Sequence, residues 1–95
     1  MKVYISGKIT GAEEEAAVLF QQAEDKLLAM GMIPLNPMKL QHLHGKTWEE
    51  FMKVDIKALL DCDAICPLEN YEDSRGATLE MLIATELQLP VIKIV

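Results

Sequence analysis

Four short β-rich runs alternate along this chain with three stretches of helical periodicity, and that alternation restricts the possible fold more than any other feature. Lys2 to Ser6 carries a branched apolar residue at every second position and stops at Gly7. The stretch Gly7 to Gly11 (GKITG) is a glycine-bounded turn, and Thr10-x-x-Glu13 has the spacing of a capping box at a helix start. From Glu13 to Met30, Ala16, Leu19, Phe20, Ala23, Leu27 and Met30 fall at helical spacing, and Gly31 closes the segment. Met32 to Leu35 is a second strand, pushed towards a sheet edge by Pro34, which has no N–H to give a ladder. Asn36 to Lys46 is irregular. A second capping box, Thr47-x-x-Glu50, opens a helix through Leu60 with Trp48, Phe51, Met52, Ile56, Leu59 and Leu60 on its inner side. Asp63 to Leu68 follows as a strand, Glu69 to Ser74 as a polar loop, and Gly76 to Leu89 as a helix. Pro90 to Val95 is apolar almost throughout and reads as a last strand buried on both faces.

Strands separated by helices need crossover connections, and crossovers produce a parallel sheet. The expected architecture is one α/β domain over residues 1–95: an open, doubly wound, flavodoxin- or Rossmann-like parallel sheet of about four strands, order 2-1-3-4, with helices on both faces. Ligands of such sheets sit outside the carboxyl ends of the strands. Three segments reach that edge: Gly7 to Gly11, the chain after Leu35, and Glu69 to Gly76.

Composition narrows the partners. A formal charge of −6 with only nine Lys and Arg argues against a nucleic-acid polymer, whose backbone calls for clustered cations. No signal-like start and no apolar run near 18 residues is present, so a cytoplasmic protein without a membrane partner is expected. Cys62 and Cys66 lack zinc or C-x-x-C spacing and read as buried free thiols. His42 and His44 form an H-x-H with no third ligand announced, so no metal and no cofactor are expected. The GKITG turn is not a P-loop, because GxxxxGK[ST] is absent.

Several residues depart from simple packing. Asp55 lies between Met52 and Leu59 on the apolar stripe of its helix, where a carboxylate carries a desolvation cost. It is either a functional acid or a rim aspartate that reaches solvent or a lysine. Glu80 stands about one turn into the last helix, with small Ala77 and Ala84 at i−3 and i+4. It is either a site acid or an exposed glutamate at the favourable end of the helix dipole. Ser74 and Gly76 offer a hydroxyl and an open backbone at that helix start. Tyr4 is an aromatic with a polar tip near the carboxyl end of the first strand, equally readable as core. Two carboxylates near one strand edge, with a tyrosine, suggest acid and nucleophile chemistry at an electrophilic carbon, as in glycosidic bonds.

The strings VYISGKITG (Val3 to Gly11), DI-x-x-LL-x-CDAI (Asp55 to Ile65) and S-x-G-A-x-x-E (Ser74 to Glu80) together resemble the nucleoside 2-deoxyribosyltransferase superfamily over essentially the whole chain. The nearest likeness is to its short branch known as a domain of unknown function; 2′-deoxynucleoside 5′-monophosphate N-glycosidases are relatives. The resemblance implies Glu80 as the nucleophile on the anomeric carbon, Asp55 as the acid that contacts the sugar or protonates the leaving base, and Tyr4 as the residue orienting Glu80. It implies a nucleoside or nucleotide bound by Gly7, Lys8, Ile9, Thr10, Gly11, Ser74 and Gly76. It also implies a homodimer or higher homo-oligomer. The expected activity is hydrolysis or transfer at the N-glycosidic bond; the alternative is a non-catalytic nucleotide sensor using the same cleft. Thr10 stands where the monophosphate-cleaving relatives carry an arginine, which weighs against a 5′-monophosphate unless Lys8 or Arg75 substitutes.

Overall fold

β1 (Lys2–Ser6) is the central strand of a three-stranded parallel sheet in the computed structural model, which describes residues 1–42 and 47–94. β2 (Ile33–Leu35) lies on one side and β3 (Ala64–Pro67) on the other, giving the order β2-β1-β3. Tyr4 stands opposite Leu35 and Ile65 in the two registers. Pro34 thus sits on an edge strand, as its missing donor requires.

Alternation along β1 then sorts the helices. Val3 and Ile5 point to one face and pack with α1 (Glu13–Ala29) through Ala16, Phe20, Ala23 and Leu27, together with Ala64 and Cys66. Tyr4 points to the opposite face, which α2 (Trp48–Leu60) and α3 (Arg75–Glu86) cover through Leu59 and Ala84, with Cys62 and Ile65. Full burial of Phe20 or Leu27 contributes roughly 1.5–3 kcal/mol each. The expected helices on both faces are present. Both cysteines are free and buried, and burial holds the Cys66 thiol up at about 11, so neither serves as a ready thiolate.

Four expectations are corrected. Among the described residues the fourth strand is not formed: residues 90–94 meet β3 through one parallel bridge, Ile65 to Val91. Ile65 N–H donates to the Pro90 carbonyl and Ile92 N–H to the Ile65 carbonyl. Pro90 can donate nothing, and Val91 is 44% exposed rather than covered on both faces. Val95 lies outside the described residues.

The first capping box is also absent. The Ile9 carbonyl accepts from Ala12 N–H, closing a four-residue turn whose third residue, Gly11, has φ +81, the value that favours glycine there. The helix therefore starts at Glu13, three residues beyond Thr10, and Glu13 Oε1 accepts from Gly11 N–H at 2.9 Å instead. At Thr47 the expected cap does form, its hydroxyl accepting from Glu50 N–H at 3.2 Å.

α3 ends at Glu86 rather than Leu89. Gln88 adopts φ 57 and Leu89 N–H returns to the Ala84 carbonyl, which turns the chain out of the helix. Lastly, Met30 and Leu60 lie on the outside of the fold, although their spacing places them in the core.

Candidate functional site

Tyr4 and Ser6 share one face of β1, and both end on the same acid. Tyr4 Oη donates to Glu80 Oε2 at 2.6 Å and Ser6 Oγ to Glu80 Oε1 at 2.8 Å. Glu80 projects inward from α3 between the small side chains of Ala77 and Ala84 and is only 5% exposed. It is thus a buried carboxylate with a hydroxyl on each oxygen, and its remaining lone pairs are free for other work. The exposed-glutamate reading of this position is excluded.

Electrostatics follow from that burial. Removal from water pushes the Glu80 carboxyl up to about 7; the bonds from Tyr4 and Ser6 oppose the rise, and the Asp55 charge adds to it. Burial, then the charges of Glu80 and Asp55, holds the Tyr4 phenol far above its ordinary value, so it stays a donor. Burial also raises Asp55, against a hydrogen bond from His42, whose Nε2 lies 2.8 Å from Asp55 Oδ1. Asp55 therefore pairs with a histidine instead of swinging to solvent, and no lysine among the described residues forms an ion pair with it.

A cavity of about 550 Å³ opens beside these groups, within the roughly 300–1,000 Å³ of small-molecule pockets. It lies at the carboxyl edge of the sheet. Tyr4, Asp55 and Glu80 line it with Gly7, Ile9, Thr10, Ser74 and Gly76, so most of the residues singled out in the sequence meet there. Lys8 and Gly11 are not in its lining. Lys8 N–H donates to Asn70 Oδ1 at 3.2 Å, and the Gly11 amide serves Glu13. Ser74 caps α3, its hydroxyl oxygen accepting from Ala77 N–H at 3.1 Å, which leaves its hydroxyl proton for a ligand.

The two glycines in the lining make room in different ways. A Cβ at Gly7 would stand 2.7 Å from Leu68 Cδ1 and 3.0 Å from Leu68 Cβ, so no side chain fits without displacing β3's exit. At Gly76 the near atom is Met52 Sδ, at 2.9 Å, the mobile end of a flexible side chain.

Sequence reasoning alone does not find every contributor to this site. Ser6 was overlooked, although residues two apart on a strand share a face and Tyr4 already marked that face. His42 was weighed only as half of an H-x-H; it bonds Asp55, while His44 lies outside the described residues. Trp48, Phe51 and Met52 lie on the inner side of α2 as their spacing predicts, with Met52 buried, and that side also forms cavity wall. Arg75 does not enter the lining: its guanidinium stacks 3.6 Å from the Trp48 ring centre. Among the described residues, no group of three His, Cys, Asp or Glu could hold a metal ion, and no helix is long and apolar enough to cross a membrane.

One family model, described as Domain of unknown function (DUF4406), matches residues 1–93. No curated protein matches the chain in sequence. Among solved structures, a 2-deoxyribosyltransferase from Bacillus psychrosaccharolyticus is similar with a TM-score of 0.73 and 22% identity, covering 98% of this chain and 71% of its own. A 2-desoxiribosyltransferase from Leishmania mexicana is similar with a TM-score of 0.69 and 18% identity, covering 97% of this chain and 62% of its own. The likeness to 2-deoxyribosyltransferases implied by the three sequence strings thus holds for the fold.

Proposed function

The chain belongs to the DUF4406 family, and from that premise we propose that it cleaves the N-glycosidic bond of a deoxynucleoside through attack by Glu80. The observation that carries this reading is the buried Glu80 carboxylate, held by Tyr4 and Ser6 at the wall of a cavity that Asp55 also lines. The fold shared with two 2-deoxyribosyltransferases supports it.

In the first step an ionised Glu80 oxygen bonds to C1′ as the C1′–N bond breaks, and the departing base takes a proton from Asp55. The transition state has oxocarbenium character, and the product is a deoxyribosyl ester. Water then attacks C1′, its proton returns to Asp55, and the Glu80 carboxylate is released. A second base in place of water gives transfer. Tyr4 and Ser6 fix the carboxylate in both steps, and their hydrogen bonds keep part of its population ionised at neutral pH.

Charge narrows the substrate. Glu13, Asp55 and Glu80 line the cavity, with no lysine or arginine among its described lining residues. Arg75, the nearest candidate for the cation absent at Thr10, is occupied by Trp48. An uncharged nucleoside suits this lining better than a 5′-monophosphate. A chromatographic screen of deoxynucleosides and their 5′-monophosphates should therefore give free base, with kcat/KM at least about tenfold higher for the uncharged substrates. A preference for the monophosphates would contradict the charge reading.

One observation favours a second reading, a nucleotide sensor: both Glu80 oxygens already carry a hydroxyl partner, as suits a structural anchor beneath a ligand. Thermal stabilisation by deoxynucleosides with no base released across the panel would establish it in place of catalysis. A homo-oligomeric assembly, in keeping with the thin stability margin of a chain this size, belongs to the proposal and is open to sedimentation measurements.

A further inference from the structure

We propose that His42 is a positioning residue that holds Asp55 in the geometry needed to protonate the departing base; the inference rests on the cleavage reading above. His42 comes from the segment after the short 3-10 turn Pro37–Lys39, whereas Asp55 comes from α2, so their contact closes the cavity across two elements. The His42 Nε2 to Asp55 Oδ1 distance is 2.8 Å, and the two side chains are only 16% and 14% exposed. On α2, one turn before Asp55, the Phe51 ring lies against the imidazole with centroids 4.8 Å apart and a tilt of 51°. The ring is therefore fixed by packing as well as by its hydrogen bond.

This arrangement has a chemical consequence. With the Nε2–H tautomer of His42, donation from Nε2 commits Oδ1 and leaves Oδ2 to face the base. When Asp55 gives its proton to the base nitrogen, the new carboxylate accepts from His42, so the charge formed in the step meets a donor already in place. Among the described residues, Tyr4 from β1 and Glu80 from α3 also feel the Asp55 charge. Negative charge on Glu80 discourages a second charge on Asp55, which gives the His42 contact its importance.

The leaving group provides the test. An ordinary purine deoxynucleoside such as deoxyadenosine needs its base protonated as it leaves, whereas 7-methyl-2′-deoxyguanosine expels an already neutral base. In the full chain, His42→Ala should lower kcat/KM on deoxyadenosine by about 10²-fold while changing the 7-methylated substrate by less than about threefold. Asp55→Asn should give the same contrast, and His42→Gln, which keeps a donor, should recover part of the deoxyadenosine rate. Equal losses of His42→Ala on both substrates, or no loss on deoxyadenosine, would overturn the proposal. Glu80→Ala is the control, since it should abolish release from both substrates whether or not His42 has this role. Should the wild-type chain release base from neither, the cleavage reading falls and this inference with it.

Discussion

Glu80→Ala will lower base release from deoxynucleosides by about 10³-fold or more, with the folded state retained. The size of the loss follows from what the side chain does in the proposed reaction. Without its carboxylate no glycosyl ester forms, and the cavity retains only Asp55 and binding contacts to assist a direct attack by water. Fold retention follows from geometry. Tyr4 and Glu80 line the cavity, so water can enter the space the side chain vacates and keep the Tyr4 and Ser6 hydroxyls bonded. The check is steady-state base release by chromatography, beside a circular dichroism spectrum of the variant. Release within about tenfold of the wild type would remove Glu80 from the role of nucleophile.

The second large effect is on stability. Glu80→Gln should stabilise the chain at pH 8 by roughly 3 kcal/mol and by nearly nothing at pH 4. The carboxyl has its ordinary value of 4.5 when unfolded and about 7 when folded, because burial disfavours its charge. Between those values the unfolded chain ionises first and binds fewer protons than the native one, so stability falls as pH rises. Above about 7 the full cost is present; below 4.5 both states are protonated and the cost disappears. A glutamine carries no charge, accepts from Tyr4 and can donate to Ser6 Oγ, so it removes that cost without orphaning a partner. Urea denaturation of both proteins at pH 4 and pH 8 reads the difference directly. Equal differences at the two pH values would show that the Glu80 carboxyl is not held up by burial. A residue that costs stability and remains at the wall of a cavity is the pattern expected where function, not packing, dictates the side chain.

The alternation of strand and helix patterns was enough to give the parallel sheet and the edge position of β2, because Pro34 and the crossovers admit few other arrangements. It was not enough for the last strand. A run of four apolar residues and one lysine after Pro90 looks alike whether it is enclosed or lies along an edge, and only the three-dimensional neighbours of Val91 distinguish the two. Helix ends failed for local reasons: Gly11 takes the chain through a turn before α1 can begin, and Gln88 leaves α3 by a left-handed conformation that its residue type does not advertise.

The candidate site was legible to a similar depth. Tyr4, Asp55 and Glu80 stand out as polar groups on apolar faces, and the sheet topology brings them to one cavity. Ser6 was legible in principle through its two-residue spacing from Tyr4. His42 was not, because its contact with Asp55 is made from outside any helix or strand, and no periodicity encodes that placement. The spacing that placed Phe51 in a core was correct about its helix face; the cavity then opened against that face.

The covalent step at Glu80 is accessible to mass spectrometry of protein quenched in acid during turnover. With a 2′-fluorinated deoxynucleoside, whose fluorine disfavours the oxocarbenium-like transition state and slows ester hydrolysis, one sugar adduct should accumulate per chain and map to the peptide containing Glu80. The Glu80→Gln protein should show none. An adduct on any other residue, or base release from the natural substrate with inversion at C1′, would contradict the account.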